Sequence, residues 1–173
     1  MAGTDLVVIG AGPGGYVAAI RAAQLGMKVV IAEKDACGGT CLNYGCIPTK
    51  ALYKNAQVMG YMDRSREFGI EIDGYRLDME QVQARKNKIV KTLTGGVEYL
   101  LKSNKVAIEK GCAKIIKAGL VEVTGKDGTV KRLETKRILI ASGSKSSRLP
   151  IEGMDLEGVI TSKEALDMKT VPE

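Results

Sequence analysis

Residues 4–15 read TDLVVIGAGPGG, and they contain the strongest indication of the fold. Its first half is a short continuous apolar run with β-branched residues, which is typical of a central parallel strand buried on both faces. Its second half places Gly10, Gly12 and Gly15 in the spacing GxGxxG. An Ala-rich helix is predicted over residues 16–25. A glycine-rich turn between a strand and a helix predicts a nucleotide-binding unit of an α/β protein.

An acidic residue completes this pattern. A second apolar strand is predicted over residues 27–32, and Glu33 follows it, 23 positions after Gly10. In a dinucleotide-binding fold, Gly12 lets the backbone approach a pyrophosphate, Gly15 lets the helix pack close to the strand, and the helix N-terminus offers N–H groups to the phosphates. Glu33 would accept hydrogen bonds from a ribose diol, and its charge disfavours a 2′-phosphate. The pattern fits NAD and FAD equally well and does not fit NADP.

Two cysteines, Cys41 and Cys46, lie among small and turn-forming residues. The four residues between them allow the sulfurs to meet, and so short a loop removes little chain entropy when it closes. Redox chemistry is therefore the favoured use of such a bridge, with a purely structural bridge as an alternative. Close cysteines also serve as metal ligands, but the chain has no His and no second pair at ligand spacing, so we predict no metal site. We expect Cys37 and Cys112, which are left over, to be small buried hydrophobic residues.

Two further helices are predicted. One covers residues 47–62, with its start between Cys41 and Ile47. A helix N-terminus near the two sulfurs, with Lys50 as a further cation, would stabilise a thiolate. The other runs from Asp78, a good N-cap, to about Ser103, and we expect its apolar stripe to face the core and Gly95 and Gly96 to weaken or bend it.

The remaining elements are mostly β-strands. They are a third strand (106–108), a small antiparallel meander (114–116, 120–123 and 130–133), another buried parallel strand (137–141) and a short last helix opened by residues 161–164.

The net charge of +6 does not indicate a nucleic-acid interface, because the basic residues are scattered and the chain has one Phe, six Tyr and no Trp. Short basic groups such as residues 85–88 are expected to be solvated surface. No apolar run is long enough to span a bilayer, and the N-terminus has no signal-peptide pattern. We therefore expect a soluble, cytoplasmic protein without a nucleic-acid or membrane partner.

Residues 38–50, GGTCLNYGCIPTK, resemble the redox motif of the disulfide-reductase family of flavoproteins, the FAD-dependent pyridine nucleotide-disulphide oxidoreductases. Residues 12–20, GPGGYVAAI, are similar to the same family. Both stretches look more like the members that oxidise dihydrolipoamide than like the glutathione or mercuric reductases. The resemblance extends from Leu6 to about Gly153. It implies an FAD-binding, Rossmann-like α/β domain, in which a parallel sheet is flanked by helices and carries a small antiparallel β-meander insert.

The resemblance also implies roles for individual residues. Cys41 would be the catalytic thiol that exchanges with the lipoyl disulfide, and Cys46 would be the catalytic sulfur beside the flavin ring. Lys50 would lie near that ring, and Ala113 would hold the adenine through its backbone. The implied cofactor-binding residues are Gly10, Gly12, Pro13, Gly14, Gly15, Glu33, Lys34, Gly39, Thr40, Cys41, Cys46, Lys50, Ala113, Ser142, Gly143 and Ser144.

The implied reaction passes electrons from dihydrolipoamide to the disulfide, then to FAD, and finally to NAD⁺ in the complete enzyme. The implied partners are a lipoyl-bearing acyltransferase of a 2-oxoacid dehydrogenase or related complex, and a second copy in a homodimer. Two alternatives stay open. One is another disulfide reductase of the family, and the other is a non-catalytic dinucleotide-binding module with a structural disulfide.

Family members run to several hundred residues, whereas this chain has 173, no second GxGxxG and no His. We therefore expect an N-terminal piece of such an enzyme. Residues 1–150 would form the N-terminal segment of the FAD-binding domain with the redox disulfide. Residues 151–173 would lead toward an NAD-binding domain, and we expect no turnover by this piece alone.

Overall fold

The structure is a computed structural model that describes residues 3–172. In chain order its elements are β1 (Thr4–Ile9), α1 (Pro13–Gln24), β2 (Val29–Glu33), α2 (Gly39–Tyr44), α3 (Cys46–Asp63), α4 (Met79–Ser103), β3 (Ala107–Lys110), β4 (Cys112–Lys117), β5 (Leu120–Thr124), β6 (Val130–Ile140) and α5 (Ser162–Ala165), with a 3₁₀ turn at Ser65–Phe68. No helix in residues 3–172 is long and apolar enough to cross a bilayer.

The strands form one sheet in the order β3-β2-β1-β6-β5-β4. The first four are mutually parallel, with Leu6 of β1 opposite both Val29 of β2 and Arg137 of β6. The last three, β6-β5-β4, are antiparallel neighbours. The predicted α/β class, with a parallel sheet and an antiparallel meander, is therefore confirmed.

Strand β6 differs from the prediction. The sequence was expected to form two strands, 130–133 and 137–141, but Val130–Ile140 is one continuous strand. Its first half pairs with β5, where Leu133 lies opposite Val121, and its second half pairs with β1, where Ile138 lies opposite Val7. The intervening Glu-Thr-Lys contains no Gly or Pro that would interrupt an extended backbone. One strand therefore joins the meander to the parallel sheet.

The centre of the sheet is buried on both faces. Val7 and Val8 are consecutive residues of β1, so their side chains point to opposite faces, and both have no exposed surface. A cluster of buried side chains joins the two parts of the sheet: Val7, Ala32, Val121, Val123 and Leu133. Complete burial of one such aliphatic side chain contributes about 1.5–3 kcal/mol. The apolar run at residues 6–9 therefore gave a correct prediction of a central strand.

The chain divides into two compact units. The first comprises Met1–Asn43 and Thr92–Lys145, and it contains all the strands described above with α1 and α2 apart from its last residue, Tyr44. The second comprises Tyr44–Lys91 and Ser146–Glu173, and it contains α3 and α5. The boundaries between the units fall within α2, within α4 and after Lys145. The predicted boundary between a domain at 1–150 and a following segment at 151–173 stays a prediction.

The predicted N-cap of α4 is present in the structure, whereas the burial of α4 and the start of the preceding helix differ from the prediction. Asp78 precedes α4, and its carboxylate accepts a hydrogen bond from the N–H of Gln81 at 3.1 Å, as expected of an N-cap. The apolar stripe of α4 is only partly core. Val97 and Leu101 are buried, whereas Leu93 and Leu100 are 41% and 47% exposed. The predicted helix at 47–62 begins at Cys46 in the structure, and a separate short helix, α2, precedes it.

Residues 161–168, which we call the tail segment, belong to the second unit. Thr161 caps α5 with a capping box: its hydroxyl accepts from the N–H of Lys163 at 3.4 Å, and the Glu164 carboxylate accepts from the N–H of Thr161 at 2.8 Å. The Thr161 hydroxyl also donates to the Glu164 carboxylate, and this hydrogen bond is the largest cause of a Glu164 pKa below its ordinary value, ahead of the bonds from backbone N–H groups. The predicted opening of a short helix at 161–164 is thus confirmed.

Candidate cofactor and redox site

The turn at residues 10–15, which we call the dinucleotide turn, is closed by tight backbone packing. Gly10 has φ +100°, and a Cβ there would lie 2.3 Å from the carbonyl oxygen of Ala141. A Cβ on Gly15 would lie 1.8 Å from the carbonyl oxygen of Gly10. The carbonyl of Gly12 accepts from the N–H groups of Gly15 and Tyr16, both at 2.9 Å. Gly10 and Gly15 are therefore required by the packing of the loop and of α1 against β1.

The N-terminus of α1 is suited to an anion. Gly12 is the N-cap and makes no side-chain cap, Pro13 is the first helical residue, and the first turn has no acidic residue. Pro13 and Gly14 are exposed, and a Cβ on Gly14 would meet no atom within 4 Å. The helix therefore offers unpaired N–H groups and a positive dipole end to open space, which is the arrangement that binds a pyrophosphate.

A second glycine pair packs against this turn. The N–H of Gly38 donates to the carbonyl of Ala11 at 2.8 Å, and a Cβ on Gly39 would lie 2.6 Å from Cα of Gly12. Gly39 has φ +56° and opens α2, in which Thr40 is exposed. The start of the redox motif (residues 38–50) thus contacts the dinucleotide turn, a juxtaposition that the glycine spacing did not predict.

Glu33 lies at the end of β2, where the dinucleotide-binding pattern predicts an acidic residue that binds a ribose. One carboxylate oxygen accepts from the N–H of Ala11 at 2.7 Å, and the other accepts from the N–H of Asp35 at 2.8 Å. Each carboxylate oxygen can accept two hydrogen bonds, so Glu33 keeps acceptor capacity for a diol. Lys34 follows it and is exposed. Glu33 therefore has a structural role in the turn, besides the ligand role that the sequence predicts.

Two other segments with predicted cofactor-binding residues lie near the carboxyl ends of the parallel strands. The N–H of Gly111 donates to the carbonyl of Glu33 at 2.9 Å, which brings the start of β4, with half-buried Ala113, beside the end of β2. At the end of β6, the N–H of Ala141 donates to the carbonyl of Ile9 at 2.8 Å. The exposed residues Ser142, Gly143 and Ser144 follow directly.

The parallel strand order reverses at β1, because β2 and β3 lie on one side of it and β6 on the other. Open α/β sheets bind ligands outside the carboxyl ends of their strands at such a switch point. The dinucleotide turn, Glu33, Gly39, Ala113 and residues 142–144 all belong to the first unit. They fit a dinucleotide, because they combine an uncapped helix N-terminus for phosphates with a carboxylate for a ribose.

Cys41 belongs to α2 in the first unit and is half-buried. The helix is fixed by buried Leu42 and by the Asn43 side-chain amide, which donates to the carbonyls of Cys37 and Gly39 at 3.1 and 3.0 Å. The local sequence thus holds Cys41 on a short, well-packed helix.

Cys46 is the first residue of α3 in the second unit and is exposed. Gly45 is the N-cap without a side-chain cap, and its carbonyl accepts from the N–H of Thr49 at 3.0 Å. Lys50, one turn further along, is also exposed. The predicted helix N-terminus near the sulfurs is therefore present, because Cys46 is the first residue of an 18-residue helix. The pairing of Cys41 with Cys46 stays a prediction.

The two other cysteines have different environments. Cys37 is buried, as predicted, and burial raises its thiol pKa to about 11, with smaller contributions from the carboxylates of Glu98 and Glu33. Cys112 was also expected to be buried, and that expectation is wrong, since it is exposed. It begins β4, the last strand of the sheet, which has a neighbour on only one side.

The profile of the pyridine nucleotide-disulphide oxidoreductase family matches residues 4–173. This chain belongs to that family. The match covers the dinucleotide turn, Glu33 and the redox motif, so these residues lie in the part of the chain that family members share.

Relatives of the family with curated names are similar over nearly the whole chain. The mitochondrial dihydrolipoyl dehydrogenase of Dictyostelium discoideum is 48% identical over 171 residues, which are 98% of this chain and 35% of that protein. The mitochondrial dihydrolipoyl dehydrogenases of Sus scrofa and Homo sapiens are 47% and 46% identical over 173 residues, or 34% of each. The chain therefore spans about a third of the length of these oxidoreductases.

Two solved structures have the same fold. The Cu(II) complex of the HOCl-induced flavoprotein disulfide reductase RclA from Escherichia coli superposes with a TM-score of 0.81 and 28% identity, covering 98% of this chain and 35% of that one. LpdA from Mycobacterium tuberculosis superposes with a TM-score of 0.87 over 98% of this chain and 38% of that one, and at 23% identity it shows the fold alone. The FAD-binding, Rossmann-like class of the fold is thus confirmed.

Sequence reasoning missed two features of the second unit. Lys86 was expected on a solvated surface, and that expectation is wrong, since it is 3% exposed. A signal existed, because Lys86 is four residues after Val82 and three before Ile89, on the apolar stripe of α4. The second feature is a contact between Lys163 and Tyr44, with the amine 4.2 Å from the ring centroid, which no motif indicates.

Proposed function

We propose that this chain forms the FAD-binding, redox-disulfide part of a dihydrolipoyl dehydrogenase. The observation that carries the proposal is the convergence of the dinucleotide turn, the Glu33 carboxylate and residues 142–144 at the switch point of the sheet. Identities of 46–48% to proteins named dihydrolipoyl dehydrogenase support this member of the family over the glutathione and mercuric reductases.

The chain's own residues would hold FAD in three places. The N–H groups at the start of α1 would bind the pyrophosphate, with Gly12, Pro13 and Gly14 leaving room for it. Glu33 would accept from the ribose hydroxyls, and the backbone of Ala113 would hold the adenine. FAD, when bound, supplies an acceptor for the two electrons that the dithiol releases.

The two cysteines would carry the exchange with substrate. The two thiols of dihydrolipoamide would reduce the Cys41–Cys46 bond, and the substrate would leave as lipoamide with its own S–S bond formed. Two electrons pass to the protein sulfurs in this step, one proton goes to Cys41, and the other goes to solvent. The helix N-terminus at Cys46 would favour its thiolate and so hold the pair ready for reoxidation.

The proposal extends to the whole protein. NAD⁺ would be the final acceptor, the protein would be a homodimer, and its partner would be a lipoyl-bearing acyltransferase of a 2-oxoacid dehydrogenase or related complex. A cytoplasmic location is also a proposal. We expect the chain alone to show no dihydrolipoamide-dependent reduction of NAD⁺.

The proposal is tested by titrating the chain with FAD and then mapping its cysteines. We expect flavin fluorescence to be quenched on binding, and Glu33→Gln to weaken this binding, with Glu157→Gln as a matched control in an exposed position. Differential alkylation with mass spectrometry should show Cys41 and Cys46 oxidised together and reduced together by dihydrolipoamide. FAD binding without dithiol-reducible cysteines would instead indicate a dinucleotide-binding module with a structural disulfide.

A further inference from the structure

Lys163 contacts the redox motif from the tail segment. Its side-chain amine lies 4.2 Å from the centroid of the Tyr44 ring, within the range of a cation–π interaction. Tyr44 is two residues before Cys46, and all three residues belong to the second unit. The tail segment is more than a hundred residues away from the motif in sequence, so this contact is made by the tertiary fold.

Other contacts fix the tail segment that carries Lys163. The side-chain amide of Gln83 donates to the carbonyls of Leu166 and Met168 at 3.3 and 2.8 Å. The buried amine of Lys86 donates to the carbonyl of Leu166 at 2.9 Å and pairs with Asp167. The segment is therefore held on α4 by one buried and one half-buried side chain. Because the backbone that carries Lys163 is already ordered, the contact with Tyr44 costs less conformational entropy than it would on a mobile segment.

Three positive groups lie on or beside the segment that contains Cys46. Cys46 opens α3, whose first turn has no acidic residue, so the helix dipole places partial positive charge at the sulfur. Lys50 follows four residues later. Lys163 is a third positive group. Its amine contacts the ring of Tyr44, and only Gly45 separates Tyr44 from Cys46 in the sequence.

We propose that Lys163 is a positioning residue for the redox pair, which acts through Tyr44 to favour the reduced form with a Cys46 thiolate over the disulfide. A cation held on the Tyr44 ring stabilises the arrangement of residues 44–45 that the structure shows, directly before Cys46. In this step a dithiol breaks the Cys41–Cys46 bond and becomes a disulfide itself. Its two electrons go to the protein sulfurs, one of its protons goes to Cys41, and the other goes to solvent. The inference rests on the redox function proposed above.

The test measures the equilibrium between the protein disulfide and dithiothreitol at pH 7 in the full chain, by alkylation and mass spectrometry of the peptides with Cys41 and Cys46. We expect Lys163→Met to shift this equilibrium toward the disulfide by about two- to fivefold, the size of an exposed cation–π interaction. This corresponds to about 10–20 mV for a two-electron couple. Lys163→Arg should restore the wild-type value, and Lys169→Met, which removes the same charge from an exposed position, should leave it unchanged.

A double-mutant cycle separates positioning from general charge. If Lys163 acts through Tyr44, Lys163→Met should have no effect in a Tyr44→Leu background. An undiminished effect in that background, or an unchanged equilibrium in Lys163→Met itself, would overturn the inference while the proposed function stands. A wild-type chain in which dithiothreitol reduces no Cys41–Cys46 bond would overturn the proposed function and, with it, this inference.

Discussion

The replacement Gly15→Ala tests whether close backbone packing holds the dinucleotide turn together. A Cβ at Gly15 would lie 1.8 Å from the carbonyl oxygen of Gly10 and 2.9 Å from its carbonyl carbon. Both are backbone atoms, so no side chain can rotate away. Helix α1 would have to move from β1 by more than an ångström to reach an ordinary contact distance.

The expected cost follows from this geometry. Adding an atom to a well-packed site costs about 1–3 kcal/mol. We expect a cost near about 3 kcal/mol here, because the atoms that the new Cβ would meet belong to the backbone of Gly10 and cannot rotate away. Replacing a helical Gly by Ala returns up to about 1 kcal/mol. We therefore expect the free energy of unfolding to fall by about 2 kcal/mol, equivalent to a fall in Tm of about 4–8 °C for a chain of this size.

The assay is urea unfolding followed by far-UV circular dichroism at 25 °C, with Gly14→Ala as the matched control. Gly14 is in the same helical turn, but a Cβ there would meet no atom within 4 Å. This variant should be as stable as wild type or up to about 1 kcal/mol more stable. Equal stability of Gly15→Ala and wild type, or an equal loss in Gly14→Ala, would refute the reasoning.

Three further predictions concern single side chains. Glu33→Gln leaves one acceptor oxygen where the carboxylate now accepts from two N–H groups, one of them that of Ala11, so urea unfolding should show a loss of about 1 kcal/mol. The buried thiol of Cys37 has its pKa raised to about 11, so it favours folding below the ordinary thiol pKa of 9.0, and this contribution is lost as the pH rises toward 11. The difference in unfolding free energy between wild type and Cys37→Ala should therefore shrink by about 2 kcal/mol between pH 9 and 11, and a constant difference would contradict the assigned pKa. Lys86→Met should release the tail segment and raise its rate of tryptic cleavage about fivefold to tenfold, because the buried amine no longer binds it. Exposed Lys102, on the same helix, serves as the control, and equal cleavage of Lys86→Met and Lys102→Met would show that the tail segment is held by other contacts.

The first unit could be predicted from sequence because its signals are local. A buried strand, three spaced glycines and a following acidic residue each have one physical role, and they occur within 30 residues. The structure shows the packing roles of Gly10 and Gly15 and places Glu33 at the end of β2, whereas its ribose role stays a prediction. Even so, Glu33 accepts from the N–H of Ala11, a contact that depends on the tertiary fold and has no sequence signal.

The incorrect expectations came from residue type without tertiary context. Cys112 was expected to be buried because cysteine usually is, but it lies on an edge strand. Lys86 was expected at the surface because lysine usually is, but carbonyl and carboxylate partners 80 and 81 residues away compensate its charge. The predicted break in β6 reflected a polar Glu-Thr-Lys stretch, and an antiparallel meander can leave such residues on its open face.

The pairing of β1 with β6 has a consequence for biosynthesis. β1 ends at Ile9, whereas its partner β6 ends at Ile140, so 131 residues separate the ends of two adjacent strands. At ribosomal rates of about 5–20 residues per second, β1 is made roughly 7–26 s before β6 is complete. During that interval one edge of β1, in which residues 6–9 are apolar, has no neighbouring strand, and an unpaired strand edge can pair with another nascent chain. The edge of β1 is thus covered late in synthesis, when β6 pairs with it.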